Sequence, residues 1–235
     1  MTTNSDHPLD NPVRSALRGP QAELAESYRS ARRYPDDVSP FAARPVDGDE
    51  WQDLATLVGA GGFVVMAGLE AAPPADWELT MEIPGVQLVG DSVAGSADAF
   101  DSDGAVRLTR ADVPEMLDLV ERTRPGPFLP RTIELGTYLG VRRGGALVAM
   151  AGERFRPAGW TEISAVCTDP DFRGQGLGTR LVLAVALGIR ARGETPLMHA
   201  AGSNENAIRL YTSLGFTQRR EISFRGLVAP AAPTS

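Results

Sequence analysis

From residue 168 the chain runs through a polar turn, Thr168-Asp169-Pro170-Asp171-Phe172, into Arg173-Gly174-Gln175-Gly176-Leu177-Gly178, and then directly into a long, mostly apolar stretch that reads as a helix over residues 177–192. Alternate glycines at the mouth of a helix constrain a fold strongly. Glycine reaches φ values closed to other residues and lets another group approach the backbone closely. The first turn of a helix leaves amides without intrahelical partners, and the helix dipole adds positive potential there. Such a turn suits phosphate oxygens; the alternative is an ordinary strand-to-helix turn. Spacing removes two phosphate-binding schemes. A P-loop needs Gly-Lys-Ser/Thr, but Gly178 is followed directly by Thr179. A dinucleotide fingerprint needs Gly-x-Gly-x-x-Gly, and the glycines here stand at 174, 176 and 178. A third pattern, Arg/Gln-x-x-Gly-x-Gly/Ala, is satisfied by Arg173, Gly176 and Gly178.

The segments around this turn alternate between strand and helix patterns. Residues 105–108 predict a strand. Asp112 and Glu115 fit a capping box with Pro114 in the first turn, followed by the helical stripe Val113, Met116, Leu117 and Val120. Residues 138–142 and 146–155 predict a hairpin around Arg143-Gly144-Gly145, and 160–168 a further strand. After the long helix come a strand at 197–201, a helix at 206–214 ended by Gly215, and a last strand at 216–225. That order predicts an α/β fold with a mixed sheet. The first half is sparser: a helix-compatible segment over 13–33, a proline-punctuated loop over 35–45, a helix at 51–58, and strands at 63–66 and 86–89. Residues 90–104 are small and acidic and read as a linker. The expected organisation is a flexible N-terminus over 1–12, an N-terminal region over 13–100, a main domain over 101–228 and a flexible tail over 229–235.

A second signature follows the first at about thirty residues. Asn204-Glu205-Asn206-Ala207-Ile208-Arg209-Leu210-Tyr211-Thr212-Ser213-Leu214-Gly215-Phe216 fits Asn-x-x-Ala-x-x-Leu-Tyr-x-x-x-Gly-Phe. With the strand at 162–168 and the glycine-rich turn, residues 105–226 resemble the GNAT superfamily of acyl-CoA-dependent N-acyltransferases, and within it the branch that shares its C-terminal domain with glycine N-acyltransferases. The resemblance implies a GNAT-like mixed central sheet with splayed strands flanked by helices, here preceded by a smaller α/β N-terminal region. That region carries no phosphate motif; whether it is a degenerate copy of the same fold stays open.

The resemblance also implies roles. The exposed backbone of Val166, Cys167 and Thr168 would pair with the pantetheine arm of acetyl-CoA, with the Cys167 amide polarising the thioester carbonyl. Amides of Arg173, Gly174, Gln175, Gly176, Leu177, Gly178 and Thr179 would hold the pyrophosphate. Tyr211 matches the family's motif tyrosine and would protonate the departing thiolate, or else simply packs against Phe216. Asn204 matches a cofactor-contacting asparagine and equally fits a helix N-cap. Alternation along the strand puts Glu162, Ser164, Val166 and Thr168 on one side, making Glu162 a general-base candidate or a salt-bridged strand residue; Glu134 and Glu153 are weaker alternatives. Cys167 reads as a small buried side chain rather than a nucleophile, His199 as a packed residue, and Trp160, Arg154 and Arg156 as surface or packing residues. The proline-rich stretch over 122–137 is short where many relatives cover the acceptor, which leaves the acceptor site open, or completed by the N-terminal half or by a second subunit in a homodimer.

Composition closes off other classes. The formal net charge of −7 argues against non-specific binding to nucleic acid or anionic membranes. The single cysteine allows no intrachain disulfide, and no metal-ligand cluster accompanies it. The first residues lack the basic start and apolar run of a signal peptide, so a cytoplasmic protein is expected. The expectation is an N-acetyltransferase acting from acetyl-CoA on a small-molecule or peptide amine, with a non-catalytic acyl-CoA-binding sensor or adaptor as the alternative.

Overall fold

The computed structural model describes residues 7–231. In chain order the elements are α1 (Pro12–Arg18), the small hairpin β1 (Glu26–Tyr28) and β2 (Ala31–Arg33), α2 (Gly48–Val58), β3 (Phe63–Ala67), β4 (Glu78–Val89), α3 (Asp98–Asp103), β5 (Val106–Arg107), α4 (Val113–Thr123), β6 (Tyr138–Arg143), β7 (Ala146–Glu153), β8 (Trp160–Thr168), α5 (Leu177–Ala191), β9 (Thr195–Ala201), α6 (Glu205–Ser213) and β10 (Thr217–Val228). Eight strands form one sheet in the order β3-β10-β4-β9-β8-β7-β6-β5. Among the described strands only β8 and β9 run parallel. A parallel pair needs a crossover, and α5 supplies it.

The apolar side of α5, with Leu181, Val182, Val185 and Ile189, packs on Val141, Ala149, Ile163 and Met198 of the sheet. Residues alternate across a strand: on β7, Met150 joins Cys167 and the Met116 and Leu119 stripe of α4, while its neighbours Ala149 and Ala151 belong to the α5 cluster. A further cluster packs Val13 and Leu17 of α1 with Tyr34, Phe41 and Phe155. Among the described residues no helix is long and apolar enough to cross a membrane.

Three expectations change. The strands of the N-terminal region join the sheet of the expected main domain: β4 lies between β10 and β9, and β3 closes the edge of the same sheet. The boundary expected at residues 100–101 therefore falls inside α3, between strands of one sheet. Second, the termini expected to be frayed over 1–12 and 229–235 lie partly outside the described residues; within them Leu9 and Ala229 are buried, and the Ala229 amide donates to the Gly62 carbonyl. Third, the capping box sits one turn earlier than expected, between Thr109 and Asp112, because Thr109 has the extended backbone and hydroxyl that an N-cap requires.

Candidate active site

Strands β8 and β9 pair only at Trp160↔Thr195, Thr161↔Pro196 and Glu162↔Leu197. Beyond Glu162 they separate, and the gap opens into a cleft of about 590 Å³ lined by Ser164, Val166 and Thr168 on one side and Met198, Asn204 and Tyr211 on the other. The divergence has a local cause. Ala165 takes φ 51°, and the β7–β8 register shifts between Met150 and Gly152. This is a β-bulge, which bends its strand and adds twist.

The bulge also reverses the side-chain alternation. Ile163 and Val166, three apart, both meet the α5 cluster, while Ala165 and Cys167 meet the α4 cluster. Glu162 therefore does not share a face with Val166, contrary to strict alternation. The register redirects the amides as well. Asp169 donates to the Val148 carbonyl, and Thr168 and Cys167 oppose Ala149 and Met150. Alternation of hydrogen-bonding direction in an antiparallel pair then turns the Cys167 peptide toward β7, and those of Val166 and Thr168 toward the gap. The Cys167 amide, expected to serve as a donor, thus faces β7, and the amide that faces the gap is that of Val166.

The glycine-rich turn presents its backbone to solvent. Gly174 and Gly176 have φ 77° and 75°, and Gly176 is the left-handed N-cap of α5, with no side-chain cap. Among the described residues the amides of residues 174–179 have no protein acceptor, whereas the Arg173 amide already donates to the Pro170 carbonyl at 3.4 Å. A Cβ on Gly178 would stand 3.6 Å from Thr168 Oγ1 and 3.8 Å from Val166 Cγ1, so the helix mouth abuts the open end of β8. These amides thus stand at the mouth of α5, which meets one end of the gap at Gly178; unpaired amides at a helix mouth favour an anion.

Tyr211 lies 7% exposed on α6 and lines the cleft. Burial pushes its hydroxyl up to about 12, which keeps the proton on it at neutral pH. Its ring also meets Phe216, with centroids 6.3 Å apart, so packing and access to the cleft coexist. Asn204 caps α6 by accepting from the Ala207 amide at 3.2 Å, and the same residue lines the cleft. Cys167 is buried, and that burial pushes its thiol up to about 11, the environment of an unreactive cysteine.

Glu162 is fully buried and does not line the cleft. Arg154 donates to its two oxygens at 3.0 and 2.6 Å, and His199 Nδ1 lies 2.9 Å from Oε1. Burial alone would raise this carboxyl, but Arg154 and His199 outweigh it and hold it down at about 2. A carboxylate so stabilised is a poor proton acceptor at neutral pH, so the ion-paired alternative describes it and the base role does not. Glu134 is salt-bridged to Arg131 and Arg110, and Glu153 to Arg192; neither lines the cleft.

Arg154, expected to be a surface or packing residue, is buried, lines the cleft, and lies over the rings of Phe41 and Phe155 at 4.9 and 4.7 Å. The signal that could have found it is Glu162 itself, since a charged residue on an apolar strand requires a cation partner. His199 also lines the cleft, with Gln87 Nε2 3.0 Å from its Nε2. Ile83 of β4 and Arg124, at the end of α4, were not anticipated as cleft residues. Among the described residues no carboxylate lines the cleft and no group of side chains could hold a metal ion.

A family model described as FR47-like protein matches residues 138–224. A crystal structure of a putative acetyltransferase from the GNAT family of Novosphingobium aromaticivorans shares 41% identity, covers 97% of this chain and 100% of its own, and superposes with a TM-score of 0.86. The chain belongs to the GNAT family. Among other GNAT-related similarities, the N-alpha-acetyltransferase RimI of Mycobacterium tuberculosis is 35% identical over 121 residues, covering 46% of this chain and 75% of that protein. The mycothiol acetyltransferase of Thermobispora bispora is 43% identical over 58 residues, 24% of this chain and 20% of that protein. The match to this GNAT chain thus spans only a fifth of the mycothiol enzyme.

Proposed function

We propose that this GNAT chain is an N-acetyltransferase that carries an acetyl group from acetyl-CoA directly to an amine, in the cytoplasm where acetyl-CoA is available. The observation that supports it most is the junction of a sheet gap with a row of free amides. The gap fits an extended pantetheine arm, paired with the Val166 and Thr168 peptides as a strand pairs with a sheet edge. The amides of residues 174–179 fit the diphosphate at its end. Asn204, at the same wall, contacts the arm. The Val166 N–H polarises the thioester carbonyl, where one such donor contributes about 3 kcal/mol in other enzymes. The neutral amine attacks that carbonyl carbon, a C–N bond forms, the C–S bond breaks, the Tyr211 hydroxyl gives its proton to the leaving sulfur, and the proton shed by the new amide nitrogen restores the tyrosine through water.

The acceptor must arrive as, or become, a free amine. With no carboxylate among the described residues lining the cleft, its proton passes to water, and Glu162 acts by holding Arg154 and His199 in place. kcat/KM then rises with pH up to the acceptor's own amine pKa, with no inflexion at about 4–5 from a carboxylate base. The names of the relatives, an N-alpha-acetyltransferase and a mycothiol acetyltransferase, point to different acceptors. A panel of peptide N-termini and small amines, followed by thiol release from acetyl-CoA, tests the activity. Tyr211→Phe should lower kcat at least tenfold with little change in acetyl-CoA binding; unchanged turnover would remove the acid from Tyr211. The pairing of Glu162 with Arg154 away from the cleft also fits a non-catalytic acyl-CoA sensor, which would bind acetyl-CoA calorimetrically yet release no thiol with any amine.

A further inference from the structure

We propose that Asp103 and Arg180 form a clamp that sets the backbone of the diphosphate-binding turn, a positioning role lying outside both sequence signatures. The proposal rests on the reading of that turn as the site of the CoA diphosphate. Arg180 belongs to the first turn of α5, and its guanidinium folds back over the turn. Nη2 donates to the Gln175 carbonyl at 2.9 Å and to Asp103 Oδ1 at 3.0 Å, while Nε donates to Asp103 Oδ2. Nη1 lies so near Gly176 that a Cβ there would approach it to 2.7 Å.

Asp103 comes from the end of α3, 77 residues away in the chain. Its carboxylate is only 7% exposed and is held from the other side by Arg143, whose Nη2 donates to Oδ1 and whose Nη1 donates to the Asp103 carbonyl, both at 3.0 Å. The hydrogen bond from Arg180 is the main reason the Asp103 carboxyl sits below its usual range.

The function follows from what an anion-binding turn requires. Its N–H groups must converge and its carbonyls must point away, because a carbonyl oxygen facing a diphosphate repels it. Arg180 ties the Gln175 carbonyl outward, and Asp103 fixes Arg180. The planar fork holds both carboxylate oxygens and the carbonyl in one fixed geometry; a lysine ammonium on a flexible stem offers donors without that bidentate geometry. The residues act through the backbone of the turn and touch neither the thioester nor the amine.

The test uses the full-length protein and two acetyl donors, acetyl-CoA and S-acetylpantetheine, the second lacking the diphosphate. Asp103→Asn and Arg180→Lys should each raise KM for acetyl-CoA roughly tenfold, the size expected for losing a charge-assisted hydrogen bond. kcat should stay within about twofold and KM for S-acetylpantetheine should not move. KM does not depend on the fraction of protein that folds, so a poorly folding variant still reports. An Arg180→Lys variant with wild-type KM would mean that the residue supplies charge alone, and an equal rise for both donors would mean general damage to the cleft; either result overturns the clamp. Calorimetry with coenzyme A separates the two layers. If the wild type fails to bind, the diphosphate reading falls; if wild type and variants bind alike, the clamp falls and the diphosphate reading stands.

Discussion

Glu162 and Arg154 meet under the floor of the cleft, with both carboxylate oxygens and two guanidinium nitrogens engaged. Such a pair is costly to break from one side only. Arg154→Met leaves a carboxylate buried with His199 as its remaining close partner, and the expected loss is about 3–5 kcal/mol in urea denaturation. Adding Glu162→Gln to that variant should restore part of the loss. The pH dependence has a definite sign. The folded-state carboxyl, at about 2, lies below the ordinary glutamate value, so its contribution is fully present above the unfolded pKa and is lost as pH falls through the folded one. Wild type should lose stability relative to Glu162→Gln between about pH 4.5 and 2, measured by urea midpoints across that range. At this scale the sequence revealed residue types better than their directions. Cys167 and Tyr211 occupy the environments expected of them. Glu162 was misdirected because an alanine at φ 51° breaks the alternation on which that reading relied, and alanine gives no sign in sequence that it will adopt a positive φ.

The elements that carry the site were legible because each has a strong local pattern. β8 occupies the residues expected of it, α5 differs by a residue at its end, and α6 is bracketed by an asparagine cap and Gly215 at φ 98°. The glycines within and before α5 do different physical work, and this separates them experimentally. Gly176 stands at φ 75° against Arg180, whereas Gly188 lies inside the helix with nothing within 4 Å of an added Cβ. Gly176→Ala should cost about 1–2 kcal/mol for the left-handed backbone and raise KM for acetyl-CoA. Gly188→Ala should instead stabilise by about 0.5–1 kcal/mol, because it relieves a helix-interior glycine, and should leave the kinetics alone. Thermal unfolding of the two variants reads both signs; a destabilised Gly188→Ala would show that this part of the helix is packed more tightly than the geometry describes.

At the scale of the molecule, the segment that looked most like a linker is a joint. Residues 90–104 are rich in Gly, Ser, Ala and Asp, the composition of a flexible connection, yet their smallness serves close packing. A Cβ on Gly95 would fall 2.3 Å from the Leu187 amide nitrogen, so the chain runs directly over the backbone of α5. Ala99 is fully buried, and Asp103 joins Arg143 to Arg180. Composition could not distinguish these uses because the partners are 40 or more residues away, and no local period records them. On either side of the joint the halves share one sheet. β10 lies between β3 and β4, and Gln87 of β4 links Leu9, His199 and Arg219 through its side-chain amide. A fragment of residues 101–235 would therefore lose both neighbours of β10 and one neighbour of β9, exposing unpaired strand edges and an apolar face that the N-terminal half covers. Its expected behaviour is to aggregate or to unfold without a cooperative transition. The measurement is thermal unfolding followed by near-ultraviolet circular dichroism, with the full chain alongside. A sharp transition in the fragment, together with coenzyme A binding equal to that of the full chain, would show that the C-terminal part folds alone and that the N-terminal strands are an addition to a finished sheet rather than part of what closes it.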